Sequence, residues 1–355
     1  MMASSQRIQV NSLWVQEVGH QEEKCPTFGR SISITIRSRP LEGAEVMDPK
    51  ISIIVPVKNE ESKIETCLNA VFSQTLKPFE VIVVDGHSTD GTVEKAMKFP
   101  VRVLYEEYHT RAGANEVGIA NARGDYVAFT DADCIPDLNW LKNLHKEFTD
   151  GIVGVGGGIR NIGESLWEES INFASNTFLG SANSIQGRYF KNKRFVKSIS
   201  GCNSIYRKGD VTACGGFDVS LSTAEDTDLN NRISKFGNLL YTPDAVVSHN
   251  HKRGLKDFRK RMYQYGYGRA RSKLWDLQVI PPIMAPGVPL LALFVPSAFI
   301  AVILIYVTMI GAYTLAISAR TRSHKYLISI PVVYLLEHIS YTIGFWHGVF
   351  SRGSG

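Results

Sequence analysis

Two aspartates, Asp131 and Asp133, stand one residue apart where the apolar run YVAFTDADC ends, and a second acidic pair, Glu225 and Asp226, opens the run AEDTDLNNR. Carboxylates at the end of a buried strand carry a large desolvation cost unless a cation stands opposite them. The D-x-D therefore calls for a positive side chain or a divalent ion, and hard oxygen ligands suit Mg²⁺ or Mn²⁺ bridging two phosphates. Glu225 and Asp226 sit at the start of a predicted helix with Leu229 and Ile233 on its buried face. Such a pair either complements the helix dipole or supplies a general base that takes the proton of an attacking hydroxyl.

Further candidates lie in VPVKNEE (Pro56, Asn59, Glu60), VVDGHSTDGT (Asp85) and SGCNSIYRKGDVTACGGFD (Gly201, Cys202, Asn203). A carboxylate such as Asp85 accepts the N–H donors of a uracil or guanine ring, or else bonds within its own turn as Asp90 is expected to do. His249, near a strand end in VVSHNHKRG, is either a metal or phosphate partner or a surface histidine, and His251 shares that choice. Arg269 and Arg271 follow shortly after, and an arginine guanidinium pairs well with phosphate oxygens.

These residues are placed by an alternation of strands and helices. ISIIVPV is followed by a helix over Glu61–Gln74, FEVIVVD by one over Thr89–Lys98, VRVLYEE by one over Ala112–Ala122, and then comes DYVAFTD. Strands that are apolar throughout, separated by amphipathic helices, indicate an α/β architecture with a mostly parallel sheet covered on both faces. Ligands in such sheets bind beyond the carboxyl ends of the strands, where PVKNE, DGHSTDGT and DADC all fall.

Composition changes abruptly near Ile280. Val288–Ser318 has no charge in 31 residues, enough to cross a bilayer, and Tyr326–Phe350 is a second apolar run with one glutamate and two histidines. Nine Lys or Arg and one acid between Lys252 and Lys273 read as a collar on a cytoplasmic membrane surface facing anionic lipids. No nucleic-acid motif accompanies that run. Arg320, Arg322 and Lys325 also belong on the cytoplasmic side, which favours a hairpin or re-entrant pair broken near Pro296, followed by a spanning helix; a single long tilted helix is the alternative. The expected organisation is an extension over residues 1–48, a catalytic domain over 49–275 and a membrane region over 279–355, with segments at 288–318 and 326–350. SISITIR (Ser31–Arg37) has strand alternation, and translation starting at Met47 is the alternative to a genuine extension. Five cysteines without C-x-x-C spacing support neither a disulfide framework nor a zinc ribbon, and no secretory signal is evident.

VPVKNEE, VVDGHSTDGT, GDYVAFTDADC and AEDTDLNNR occur in this order and together resemble the inverting family 2 glycosyltransferases of GT-A fold, over about residues 50 to 275. A phosphatase of the haloacid-dehalogenase type, the other common setting of a strand-terminal D-x-D, is a poor match because Cys134 and Ile135 follow it. The resemblance implies that Pro56, Asn59, Glu60 and Asp85 hold the base and ribose of a UDP- or GDP-sugar. It also implies that Asp131 lies against the ribose or metal shell, that Asp133 binds the metal, with His249 or His251 as a further metal or phosphate partner, and that Asp226 is the base with Glu225 orienting. At Gly86 and His87 the chain departs from the usual Asp-Asp-Gly-Ser, which removes a second carboxylate. Gly201, Cys202 and Asn203 correspond to an acceptor-side turn, and Gln264, Arg269 and Arg271 stand where processive relatives keep Gln-x-x-Arg-Trp, with altered spacing. The C-terminal runs resemble those of succinoglycan-type glucosyltransferases. The implied activity is transfer to a lipid-linked saccharide in glycolipid or exopolysaccharide assembly, from a cell-membrane enzyme with a cytoplasmic catalytic domain. A polyprenyl-phosphate glycosyltransferase and a non-catalytic membrane interaction protein are the competing readings.

Overall fold

The computed structural model describes residues 8–10, 13–15, 48–182, 189–221, 223–250, 254–271 and 277–351, in two compact units, Met1–Met47 and Asp48–Gly355. In the first unit β1 (Ile8–Val10) and β2 (Leu13–Val15) pair antiparallel. The strand expected over Ser31–Arg37, and His251, lie outside the described residues.

The second unit opens with β3 (Ile51–Val57), α1 (Ile64–Phe72), β4 (Glu80–Asp85), α2 (Thr92–Ala96), β5 (Arg102–Tyr105), α3 (Arg111–Asn121) and β6 (Tyr126–Thr130). Successive side chains of a strand point to opposite faces. Ile53, Val55 and Val57 pack with Ile64, Leu68 and Trp140 on one side of the sheet, while Ile54, Ile82, Val84 and Phe129 pack with Ile119 on the other. Both faces are buried, which is why these strands are apolar without alternation. Helix α2 is shorter than expected because the Asp90 carboxylate accepts from Thr92 N at 3.1 Å, so the residues before Thr92 form a capping turn.

The chain continues through β7 (Cys134–Pro136), α4 (Trp140–His145), β8 (Ile152–Ile162), α5 (Leu166–Ser175), α6 (Phe178–Ser181), β9 (Arg194–Val196), β10 (Asn203–Arg207), α7 (Lys208–Ala213), α8 (Glu225–Ile233) and β11 (Asn238–Asn250). The main sheet has the order β5-β4-β3-β6-β10-β8-β11-β7, with β9 on β11. It is parallel through β5-β4-β3-β6. Beyond β6 it is mixed, since β10 runs antiparallel to both β6 and β8. The chain winds outward from β3 to β5 and returns to the other side of β3 with β6, so the crevice between β3 and β6 is the switch point where ligands bind. Strand β8 is not legible as a strand because of its glycines. Their space is filled from elsewhere: a Cβ on Gly157 would lie 1.9 Å from Ala245 O.

Helices α9 (Leu255–Arg271), α10 (Ile280–Met284), α11 (Gly287–Phe294), α12 (Pro296–Thr321) and α13 (Tyr326–Phe350) complete the unit. The break expected near Pro296 falls at Val295, whose non-helical backbone (φ −143°, ψ 71°) separates α11 from α12. With 26 and 25 residues, α12 and α13 are each long enough and apolar enough to cross a membrane. The stretch Leu277–Met284 and α11 make a pair bent by 42° that gives a third span if it counts as one. Leu293 (75% exposed), Phe294 (78%) and Ile328 (77%) present bare apolar surface suited to lipid.

Helix α13 is also bound to the sheet domain. Ser170 of α5 donates to Ser329 Oγ at 2.7 Å, and α9 crosses α13 with the two backbones touching. A Cβ on Gly266 would lie 2.0 Å from Tyr341 O, and one on Gly344 2.0 Å from Tyr263 O. Backbone cannot retreat as a flexible side chain can, so Gly344→Val is expected to lower stability by about 3 kcal/mol through overpacking. Gly311→Ala on α12, where an added Cβ meets nothing within 4 Å, is expected to leave the melting temperature in detergent unchanged or slightly raised. Equal melting of wild type and Gly344→Val would refute this crossing.

Candidate active site

The site gathers where β3 and β6 end and where α3 and α8 begin. Thr110 caps α3 by accepting from Gly113 N, and the next residue, Arg111, extends to the D-x-D. Its Nη2 donates to Asp131 Oδ1 at 2.6 Å, and its Nε stands 3.4 Å from Glu225 Oε1. That Nε is buried without a hydrogen-bond partner among the described residues. Asp133 is 6% exposed, and its Oδ1 lies 2.9 Å from His249 Nε2 on β11. Lys63 Nζ stands 3.9 Å from Asp133 Oδ2 and 3.0 Å from Glu60 Oε2.

Glu225 and Asp226 start α8 behind Ala224, a non-glycine residue in the left-handed region (φ 63°), a conformation that stores strain at functional turns. Asp226 Oδ2 accepts from Gly201 N at 3.1 Å and Oδ1 from Thr227 N at 2.6 Å, so two backbone N–H groups aim this carboxylate. Burial pushes the Glu225 carboxyl up, Arg111 opposes and Asp226 adds, and the result is a pKa of about 7. The tight ion pair of Arg111 is with Asp131, which leaves Glu225 the weaker partner.

Donor atoms of Asp131, Asp133, Cys134 and His249 all lie within 4.8 Å of one another. Burial pushes the Cys134 thiol up, which keeps it protonated and unsuited to a hard cation. Two carboxylates and an imidazole remain, a set that fits a hard or borderline divalent ion such as Mg²⁺ or Mn²⁺.

Two cavities meet here. One of about 320 Å³ lies at the switch point against Pro56, Glu60, Gly86 and Asp133; the other, of about 380 Å³, is lined by Asp226, Gly201 and Cys202 and extends to α9 and α13. Arg111, Asp131, His249, Arg261 and Tyr265 line both.

Several candidates fall elsewhere. Asp85 is 1% exposed and its oxygens accept from Ser88 N at 2.9 Å and Ser88 Oγ at 2.5 Å; its carboxylate is engaged within its own turn and does not line the cavity. Asn59, at φ 56°, accepts from Thr89 N at 2.8 Å and so ties the two loops together. Asn203 is fully buried: it accepts from Trp140 Nε1 at 2.7 Å and donates to Gly158 O at 2.9 Å and Ala245 O at 3.0 Å. It braces the core and reaches neither cavity. Gln264 is exposed on α9, and Arg271 is exposed with its guanidinium over the Tyr267 ring at 5.9 Å. A helix shows one face to a cavity, and on α9 that face carries Arg261, Tyr265 and Arg269. Arg269 donates to Gln278 Oε1.

Arg111 and Arg261 are the residues that motif reading missed. Arg111 had a usable signal: a cation in the first turn of a helix opposes the dipole, so its presence there points to a specific anionic partner.

A parallel switch-point crevice with a D-x-D whose carboxylates suit a divalent ion, joined to a second cavity with an aimed carboxylate, has the architecture of a GT-A glycosyltransferase. Residues 52–213 match the model of glycosyl transferase family 2. It is 28% identical over 328 residues to the dolichyl N-acetyl-alpha-D-glucosaminyl phosphate 3-beta-D-2,3-diacetamido-2,3-dideoxy-beta-D-glucuronosyltransferase of Methanococcus voltae, covering 86% of this chain and 98% of that one. It is 27% identical over 320 residues to the succinoglycan biosynthesis protein ExoA of Rhizobium meliloti, covering 83% and 93%. Among solved structures, the mannosyltransferase PcManGT of Pyrobaculum calidifontis, in complex with GDP-Man and Mn²⁺, superposes with a TM-score of 0.57 at 19% identity, covering 82% of this chain and 88% of that one.

A raised carboxyl pKa favours the protonated folded state. The stability it contributes is present below the ordinary value of 4.5 and is lost as pH rises through about 7. Glu225→Gln cannot ionise, so its melting temperature in EDTA should gain on wild type by several degrees between pH 5 and pH 8. A constant difference over that range would refute the shift.

Proposed function

We propose that the enzyme moves a sugar from a UDP- or GDP-sugar to a lipid-linked saccharide, with inversion at the anomeric carbon, at the cytoplasmic face of the cell membrane. The observation that carries this reading is the pair of cavities with a common wall. Asp133 lines only the switch-point cavity and Asp226 only the other. A donor with its diphosphate at Asp133 has its anomeric carbon at the shared wall, and an acceptor hydroxyl near Asp226 then attacks from the side opposite the leaving group.

Support for the substrates comes from relatives. The Methanococcus voltae enzyme is named for a dolichyl-phosphate-linked N-acetylglucosamine acceptor, ExoA is named for succinoglycan biosynthesis, and the PcManGT complex holds GDP-Man and Mn²⁺. Helices α12 and α13 suit the membrane location, and the basic residues of α9 and of the α12–α13 turn suit a cytoplasmic face.

Asp131, Asp133 and His249 would hold the divalent ion, which neutralises charge on the donor diphosphate. The residues of this chain do the rest. Asp226, aimed by Gly201 N and Thr227 N, takes the acceptor O–H proton as the new C–O bond forms. The bond from the anomeric carbon to the phosphate oxygen breaks with its electron pair leaving on the nucleoside diphosphate. Arg261, which lines both cavities, is placed to meet that charge. Arg111 holds Asp131 and presents its unpartnered Nε–H at the junction.

Asp226→Asn preserves shape and removes basicity. It should lower kcat by about 10²- to 10⁴-fold with donor affinity nearly unchanged, measured with radiolabelled UDP- and GDP-sugars and native membrane lipid. Full activity would point instead to a phosphate acceptor, which needs no base. Asp133→Ala should abolish both turnover and Mn²⁺-dependent donor binding, and activity surviving in EDTA would overturn the metal role.

A further inference from the structure

Glu337 is the one carboxyl group of α13, near the middle of a helix long enough to cross the membrane. It is 7% exposed, and its Oε2 has no hydrogen-bond partner among the described residues. No ion pair or hydrogen bond to either oxygen occurs among the described residues. His338 and the hydroxyl of Tyr334, both close by on α13, are already engaged. His338 Nε2 donates to Leu179 O at 3.1 Å, which leaves Nδ1 to accept from Tyr306 Oη at 2.8 Å. Tyr334 Oη is 2.8 Å from Thr177 Oγ1. A carboxyl group within an apolar segment is costly and marks function by default. Glu337 does not face lipid: it lines the same cavity of about 380 Å³ as Asp226.

We propose that Glu337 is a specificity-determining residue that binds the saccharide of the acceptor, accepting hydrogen bonds from its ring hydroxyl groups while another hydroxyl is presented to Asp226. The two oxygens of a carboxyl group match adjacent sugar hydroxyls, and a lipid tail offers no donor to them. Binding supplies Glu337 with hydrogen-bond partners, so a ring without the matching hydroxyl leaves Glu337 buried and unpaired, the kind of loss that gives strong discrimination. The inference rests on the lipid-linked saccharide reading above. It adds that the membrane helix itself selects the sugar, and the seat of α9 on α13 holds Glu337 in register with the catalytic helix.

The test uses the full chain in detergent, with UDP- and GDP-sugars as donors. The acceptors are prenyl-phosphate- and prenyl-diphosphate-linked N-acetylglucosamine and glucose, with their monodeoxy analogues. Glu337→Leu should raise the acceptor KM by about 10- to 100-fold, the worth of two hydrogen bonds, and leave donor KM and slow donor hydrolysis by water unchanged. Glu337→Gln should lose less. With one monodeoxy analogue, wild type and variant should have the same kcat/KM, because the missing hydroxyl is the one that Glu337 would bind. If Glu337→Leu does not fold, the same comparison is made with the near-isosteric Glu337→Gln. Wild-type acceptor KM in the folded variants, or an equal loss with every analogue accompanied by lost donor hydrolysis, would overturn the inference and leave the transferase reading standing. A wild-type enzyme that hydrolyses donor yet transfers to no member of the panel would overturn the lipid-linked saccharide reading and this inference together.

Discussion

The ion pair of Arg111 with Asp131 is the interaction on which the catalytic centre depends. Asp131, Asp133, Glu225 and Asp226 come from two distant stretches of chain and converge in a space where Asp133 and Glu225 are 6% exposed each. Carboxylates at this density repel one another and resist desolvation. A guanidinium 2.6 Å from Asp131 and 3.4 Å from Glu225 bridges the end of β6 to the start of α8; burial works against its charge, but the negative charge of Asp131 and its neighbours outweighs that and holds Arg111 in its charged form. The remaining acids, Asp133 and Asp226, lie on either side of this bridge, one on each cavity.

Around this bridge the two halves of the sheet divide the work. The parallel half supplies a switch point, an open crevice between β3 and β6. The mixed half supplies β10 and β11, which bring Cys202 and His249 beside the D-x-D. Asn203 shows how firmly this second half is set, since its side chain joins β10 to α4, β8 and β11 through three hydrogen bonds of 2.7 to 3.0 Å.

Helix α9 carries the same geometry to the membrane. On one side a Cβ on Gly268 would lie 2.4 Å from Thr223 Oγ1, just before the left-handed Ala224 that starts α8; on the other, Gly266 lies against the backbone of α13. Arg261 and Tyr265 of α9 line both cavities. Close packing thus runs from α13 through α9 to the turn that starts α8 and carries Asp226.

Much of this was legible in the amino-acid order alone. Local patterns determined the strands from Ile51 to Thr130, because residues buried on both faces must be apolar throughout, and they determined the D-x-D, the Glu225–Asp226 pair and the apolar helices, because each is a short motif with its own chemistry. The tertiary structure decided what depends on direction and long-range contact. It turned Asp85 to Ser88 and Asn203 into the core, since each found local or cross-strand donors that no spacing reveals. It faced Arg261 and Arg269, rather than Gln264 and Arg271, toward the cavity, since the packing of α9 on α13 sets which side of the helix is free. It also made a strand of the glycine-rich β8, whose missing side chains are replaced by neighbours from Ala245, Tyr206 and Ile199, and placed Arg111 between acids 20 and 114 positions away in the chain, a pairing fixed by charge burial and invisible to any local pattern.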